Sequence, residues 1–472
     1  MVHAALIGVL IAAGLCGPAL WSGELLGSAG AETFGHAWVL GWATEAWPAW
    51  PTGTTTAVGA ANWPVIDPLP TWLTAAAAQL VGVDVAWNLR VALAIVLAAM
   101  GGARLARAWG GNPQVGAAGT ALMPIFLGSI TSGLSEDLAV GLLAWVLAWA
   151  TEKRWWHAAL GVGLLAGCGL YLGWMGGVAM AALALRPAPM RELGKRAGAL
   201  LLAATLAVGA AAPFAGRMRT GARAATPAVE AHWRVNPWRG ADVASFVAPG
   251  KVDLAGAALR EHPTYLGAAT VGFAALGGTP AGWLAVAACV AVAPGDSFSV
   301  AGQPTGVANP AAAVLDALPG GNQLRNHARL MLLGQLLLVG LAARGAERLR
   351  RRWPRAGLVA GLVIVAEVVF LSPARAPLPG TPTEAPAIYA ALSRAPAGLP
   401  VRVVGSPNPQ APFFYQRVTG RGLRNDPNRP DPGRPEPATE IIVAFGPARA
   451  RLTEELGRPD VEAEDGAAWW PD

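Results

Sequence analysis

The stretch Arg344-Gly-Ala-Glu-Arg-Leu-Arg-Arg-Arg-Trp-Pro-Arg355 packs six arginines and one glutamate between two apolar runs, residues 328–343 and 356–372. A cationic loop joining two long hydrophobic segments is the signature of a polytopic membrane protein with its basic loops on the cytoplasmic side. Residues 104–112, 152–154 and 186–196 repeat the pattern. The stretch from Gly23 to Asp67 inverts it, with no Lys or Arg but with Glu24, Glu32, Glu45 and Asp67, so it faces outward.

The composition agrees. Of 472 residues, 54% are hydrophobic and 14% charged, and the mean hydropathy is +0.41. A single soluble core could not hide this much apolar sequence. An ordinary cytosolic enzyme, a disordered chain and a disulfide scaffold are thereby excluded. The net charge of +6 comes almost wholly from arginine, since Lys153, Lys195 and Lys251 are the only lysines. That bias fits a GC-rich genome better than a polyanionic ligand, and nucleic-acid binding is not expected. Cys16, Cys168 and Cys289 sit in apolar runs without metal spacing and read as small buried hydrophobes. The first segment, Val2 to Trp21, lacks a basic start, and Leu15 before Cys16 argues against a lipoprotein cleavage site. It reads as an uncleaved anchor.

Threading the apolar runs through the loop constraints requires about eleven crossings. They fall near residues 2–21, 85–103, 113–130, 136–151, 156–170, 171–185, 197–214, 264–279, 280–294, 328–343 and 356–372. The expected fold is an all-α polytopic membrane protein with the N-terminus cytoplasmic, placed in the inner (cytoplasmic) membrane. The run from Pro68 to Gly82 must not cross if Arg104 is inside. The pairs 156–185 and 264–294 read either as tight hairpins or as single kinked elements. Gly167, Gly169, Gly173, Gly176 and Gly177 permit close helix approach in the first pair. Residues 1–373 form the membrane domain, with outer loops at 23–67 and 215–263. Residues 374–472 hold 17 of the 39 prolines. Strand-like runs at Val401–Val404 and Glu440–Phe445 and helical patterns at Glu384–Arg394 and Ala448–Leu456 make this a small extracytoplasmic α/β module. Residues 425–437 read as irregular.

The first outer loop carries the strongest chemical candidates. As a helix, Phe34, Trp38 and Trp42 share one face, while Glu32 and His36 project from the opposite one. That describes a helix lying in the membrane plane, its aromatic face in the interface and its wet side toward an outer cavity. Glu32 is the candidate general base or metal ligand, with His36 tuning it or sharing the ion. Solvation of both side chains on an ordinary outer loop is the competing reading. Glu136 and Asp137 lie at the outer end of a span, where carboxylates are costly and mark function. Their alternative is local, with Ser135 as N-cap and the two acids in the first helical turn. Arg90 is a candidate phosphate holder, against a local pair with Asp84 or snorkelling. Arg325 and Arg329, four apart, are candidates for an anionic head group beside membrane lipid. Glu367, buried in the last apolar run without an evident partner, favours transport. No Walker loop, G-x-G-x-x-G, HExxH or G-x-S-x-G occurs, and the cytoplasmic loops are too short for a nucleotide-sugar domain.

Several short motifs fall in a recognisable order: Glu32-Thr-Phe-Gly-His36-Ala-Trp38, Pro68-Leu69-Pro70, Ala86-Trp87-Asn88-Leu89, Gly133 to Glu136, and Arg325 with Arg329. In this order the chain resembles bacterial multi-pass membrane glycosyltransferases of the GT-C fold, across most of residues 1–372. Tyr415-Gln416-Arg417-Val418-Thr419-Gly420 adds a match in the outer module, where relatives often carry a histidine that is absent here. The resemblance implies transfer of a sugar from a polyprenyl-phosphate donor to an envelope acceptor at the extracytoplasmic face. It places the base at Glu32 and a supporting acidic site at Glu136 or Asp137, and it admits a divalent cation, Mg or Mn. The family usually has Asp in the first loop, so Glu32 must place its oxygen differently. On this reading Arg90, Arg325 and Arg329 hold the leaving phosphate, and Trp38, Trp42 and Trp63 border the sugar. Two other readings stand beside it. One is a lipid-linked glycan transporter or flippase. The other is a non-catalytic envelope assembly protein whose outer module binds an envelope partner.

Overall fold

The structure, a computed structural model, describes residues 1–28, 32–51, 53–55, 62–224, 240–248, 264–321, 324, 326–374, 376–406, 408, 410–419, 421, 423, 424 and 439–471. It is a largely helical membrane protein. Among the described residues, five stretches are long and apolar enough to cross a bilayer: 2–22, 83–108, 113–131, 190–213 and 327–350. The apolar helices at 155–168, 170–184, 268–277, 280–292 and 356–371 are shorter.

Helix α1 (Val2–Ser22) stops at Gly23, whose φ of 74° is left-handed and suits a residue without Cβ. Strand β1 (Leu25–Leu26) leads to α2 (Thr33–Ala46), the hairpin β2 (Gly53–Thr55) and β3 (Asn62–Pro64), and then α3 (Pro68–Val81). With 14 residues, α3 is about 21 Å long, short of the ~30 Å of a hydrocarbon core. Gly82 turns the chain straight into α4 (Val83–Ala108). Helices α5 (Pro113–Ala121) and α6 (Pro124–Thr131) form one span broken at Pro124, where the ring removes a backbone donor. The next free amide, Ile125 N–H, donates to Gln335 Oε1 at 3.1 Å, so the break leaves that group satisfied.

A single-turn 3₁₀ segment, Ser135–Asp137, precedes α7 (Val140–Thr151), α8 (Trp155–Cys168), α9 (Leu170–Ala184) and α10 (Met190–Ala224). Glycines set the closest contacts. A Cβ on Gly101 would overlap the Gly141 carbonyl, and one on Gly102 the Gly116 carbonyl, so α4 lies almost backbone to backbone on α7 and α5. Between α8 and α9 only Gly169 intervenes. Gly173 abuts Ala166 and Gly176 meets Val162 and Leu165, so the 156–185 region is a tight hairpin rather than one kinked helix.

The second pair, α11 (Ala268–Gly277) and α12 (Pro280–Val292), also doubles back. Gly277 presses on Gly345 and Leu341, and Cys289 lies against Gly334, so both helices run along α14 (Met331–Arg350) in opposite senses. Between them and α14 come the hairpin β4 (Ser297–Val300) and β5 (Gln303–Ala308) and the short α13 (Pro310–Ala317). After α14 comes α15 (Ala356–Leu371). Glu367 on α15 is buried but not alone. It accepts from Tyr265 Oη at 3.1 Å and from Ala269 N–H at 3.0 Å, so it caps the start of α11. The sequence expectation of a partnerless intramembrane acid is corrected, because those donors come from about 100 residues away and are invisible to local pattern.

Strand β6 (Gly380–Thr381) pairs antiparallel with β1 and ties the tail to the segment that follows α1. Beyond it lie α16 (Ala387–Ala391), β7 (Val401–Val404), α17 (Ala411–Thr419), β8 (Ile441–Ala444), α18 (Pro447–Leu456), β9 (Val461–Glu462) and β10 (Ala467–Trp469). The strands form one mixed sheet in the order β7-β8-β10-β9, parallel between β7 and β8 and antiparallel elsewhere. Residues 225–239, 249–263 and 425–438, on which most of the expected second outer loop and the irregular stretch expected at 425–437 fall, lie outside the described residues.

Candidate active site

Helix α2 shows two chemically distinct faces, as its spacing requires, but the aromatic one does not meet lipid. Phe34 stacks on Phe414 at 4.8 Å between centroids and Trp38 on Phe413 at 5.3 Å. Trp38 Nε1–H donates to Gln416 Oε1 at 3.1 Å, and Gly35 N–H to Gln410 Oε1 at 3.0 Å. The expectation of an in-plane interfacial helix is corrected on this face, which is covered by α17 of the C-terminal module. Trp38 is buried there and Trp42 is half-buried against the core, so neither is laid open to a sugar. The side chain of Trp63 and all of Arg325 lie outside the described residues.

The opposite face of α2 carries Glu32 and His36. The imidazole is buried at 7% exposure, while Glu32 keeps 51% of its side chain open. His36 Nε2 lies 3.4 Å from Glu32 Oε2 and 3.8 Å from Glu136 Oε2. Its other nitrogen, Nδ1, is 2.7 Å from Ser135 Oγ, and Ser135 Oγ–H donates to Asp67 Oδ2 at 2.5 Å. With its hydroxyl proton committed to Asp67, Ser135 accepts from His36 Nδ1–H. Nε2 then faces two carboxylates.

Gly133 makes this convergence sterically feasible. Its φ is +73°, and a Cβ there would collide with the Thr33 backbone, so the 3₁₀ turn carrying Ser135 and Glu136 comes directly under the start of α2. Gly169 does the same on the far side, with a Cβ position 2.7 Å from the Glu136 carbonyl oxygen. The expected capping role of Ser135 is corrected. Its hydroxyl is used across the site, and α7 begins only at Val140.

Both described arginines face acids. Arg90 pairs with Asp67 rather than with Asp84 and also donates to the Ser135 carbonyl at 3.2 Å. Thr71 Oγ1–H donates to Asp67 Oδ1 at 2.9 Å. Arg329 donates to Glu136 Oε1 at 2.6 Å, lies 3.7 Å from Asp137 Oδ2, and stacks over the Tyr171 ring at 4.9 Å. Asp137 Oδ2 accepts from Ser129 Oγ–H at 2.8 Å. The side chains of Arg90 and Arg329 are 7% and 10% exposed. Here the phosphate-holding expectation meets a correction, since a phosphate at either guanidinium would have to displace a carboxylate. Asp67 is the site residue that sequence reasoning missed. Its signal was a lone acid before Pro68-Leu69-Pro70 in a loop free of basic residues.

The electrostatics follow from this packing. Burial alone would lower the His36 pKa, but the hydrogen bond to Glu32 and the charges of Glu136, Glu32 and Asp67 outweigh it and raise it. Burial would raise Glu32, yet the hydrogen bond and charge of His36, with Arg329 behind, hold it below the usual carboxylate range. Because half of the Glu32 side chain is open, water screens this effect in part. Glu136 is likewise held low, its burial outweighed by Arg329 and His36. Asp137, fully enclosed, is pushed up to about 6 by burial and by Glu136, against the opposing pull of Arg329. The arrangement presents an accessible Glu32 whose ionised form is favoured, backed by a buried His36 whose protonated form is favoured. Among the described residues, no group of three or more His, Cys, Asp or Glu side chains is arranged to hold a metal ion.

No family model matches the chain, and no curated protein does. Among solved structures, the chain is similar to a mutant of the arabinofuranosyltransferase AftD from Mycobacteria, at 19% identity and a TM-score of 0.44. That match covers 85% of this chain and 30% of the AftD chain, so this protein spans about a third of its length. It is also similar to ArnT from Cupriavidus metallidurans in the apo state, at 14% identity and a TM-score of 0.46, over 99% of this chain and 96% of that one.

Proposed function

We propose that this protein is a membrane glycosyltransferase of the cell envelope that moves a sugar from a polyprenyl-phosphate donor to an acceptor hydroxyl at the extracytoplasmic face of the inner membrane. The observation that carries the reading is the pairing of a half-exposed Glu32 carboxylate with a buried His36 that is itself anchored through Ser135 to Asp67. The order of short motifs from Glu32 to Arg329 supports it.

In this reading Glu32 accepts the proton of the acceptor hydroxyl. The freed oxygen lone pair forms the bond to the anomeric carbon, and the bond from that carbon to the phosphate oxygen breaks, its electron pair leaving with the polyprenyl phosphate. A carboxylate held low is a weak base. It suits a transition state of oxocarbenium character, in which the leaving bond is largely broken before the proton moves. His36 keeps Glu32 ionised and oriented, and Arg329 offsets the charge of Glu136 and Asp137 beside it.

The transport reading loses its one support, since Glu367 is occupied as a helix cap. The test uses the purified chain with radiolabelled polyprenyl-phosphate hexoses and pentoses, and compares Glu32→Gln at matched folded protein. Transfer by the wild type, reduced about 100-fold or more by Glu32→Gln, is the expected result. Full activity of that variant would remove Glu32 from the reaction.

A further inference from the structure

At the arginine-rich end of the bundle, about 25 Å along α4 from Arg90, α1, α4, α5 and α14 border a half-open pocket of about 450 Å³. That is within the size range of small-ligand sites. Ala4 and Ile7 supply an apolar wall, Arg107, Asn112, Gln114 and Arg350 a polar one, and Glu347 also lines it, its carboxylate taken up by Arg350. The two arginines differ in what they have left to offer. Arg350 gives Nε–H and one Nη to Glu347, both at 2.7 Å. Arg107 is exposed and, among the described residues, its guanidinium makes no hydrogen bond or ion pair, so its full donor fork is free.

The neighbouring surface says what kind of molecule arrives there. Val2, Leu6, Val9 and Leu10 on α1 are all exposed, a lipid-facing stripe that starts beside the cavity. A ligand with an oxyanion head and an acyl tail meets both parts at once, the head against Arg107 and Gln114 and the tail along α1. Basic pockets between membrane helices at a cationic surface favour such head groups.

We propose that this cavity binds the phosphate of an anionic membrane lipid. Arg107 makes the charge-assisted contact, Gln114 and the free Nη of Arg350 complete the oxyanion shell, and the acyl chains lie on the exposed face of α1. The site is separate from the outer acidic cluster, so it stands or falls independently of the glycosyl-transfer reading.

The test is native mass spectrometry of the full chain released from detergent, with phosphatidylglycerol or phosphatidylcholine added. Retention of phosphatidylglycerol over phosphatidylcholine is expected, falling about tenfold in Arg107→Gln, the equivalent of ~1.4 kcal/mol. Arg351→Gln removes an equal charge from the exposed loop outside the cavity and is expected to bind as wild type does. Equal retention of the two lipids, or equal loss in both variants, would overturn the site in favour of diffuse surface charge. Full displacement of phosphatidylglycerol by millimolar inorganic phosphate would overturn the lipid as its source and leave a soluble phosphate site.

Discussion

His36 Nδ1 and Ser135 Oγ, 99 residues apart in the chain, lie 2.7 Å from one another, and that contact joins α2 to the turn that carries Glu136 and Asp137. Ser135→Ala removes the acceptor for the imidazole N–H and leaves it unpaired in a buried position. A cost of about 1–3 kcal/mol follows, or about five- to 100-fold in rate if it falls on the transition state. In the proposed reaction Ser135 acts through His36, so kcat is expected to fall while KM holds. An equal rise in KM would instead make Ser135 part of the binding surface.

Thermal stability should depend on pH through the Glu32–His36 pair. The His36 pKa is raised on folding, so its contribution is complete below the unfolded value, near 6.5, and is lost as pH rises through the folded one. Glu32 is lowered, so its contribution is complete above its unfolded value, near 4.5, and is lost as pH falls through the folded one. The melting temperature in detergent is expected to peak between these limits. His36→Gln should flatten the alkaline limb, and an unchanged profile in that variant would contradict the pairing.

Asp137 gives the opposite sign. A carboxylate pushed up to about 6 binds its proton more tightly in the folded chain, so it destabilises progressively as pH rises from its unfolded value toward 6. Asp137→Asn removes that penalty. Melting temperatures of the variant and the wild type, compared at pH 5 and pH 7.5, should show the larger relative gain for the variant at the higher pH, with Arg329 still held by Glu136.

Phe414 is buried between Phe34 and Tyr415 at the seam of α2 and the C-terminal module. Phe414→Ala is expected to cost about 3–5 kcal/mol. Limited proteolysis would read the loosening as faster cleavage between Ser372 and Pro386, and activity would fall with it, because the same helix carries His36 on its other face.

Glu367→Gln keeps one carbonyl acceptor for Ala269 N–H and Tyr265 Oη–H. Activity should be retained, and stability reduced by about 1 kcal/mol as a charge-assisted bond becomes a neutral one. Loss of function at full folded level would restore Glu367 as an intramembrane functional acid.

The helical character and the gathering of acids at one end were legible because they depend on local properties. Runs of apolar residues, arginine-rich loops and the four-residue spacing of Glu32 and His36 all act over short stretches. Partner identity was not legible. Arg90 had Asp84 close in sequence but folds onto Asp67, because Gly82 reverses the chain and brings α3 alongside α4. The aromatic face of α2 carries no mark that distinguishes a lipid interface from α17, some 380 residues later. Both environments ask for Phe and Trp with a polar handle. Ser135 likewise satisfied a local capping rule on paper and spends its hydroxyl on a long-range one.

The antiparallel pairing of Leu25–Leu26 with Gly380–Thr381 puts the protein's biogenesis in a fixed order. While the chain is still being synthesised, β1 waits with an unpaired strand edge, and α2 waits with bare phenylalanine and tryptophan rings. Neither can be covered until the last fifth of the chain has been made. A ribosome that stalls after α15 therefore leaves a bundle whose acidic cluster is present but unbraced, with two adhesive surfaces exposed to proteases and chaperones. Surveillance of nascent chains would distinguish finished from unfinished molecules at this seam.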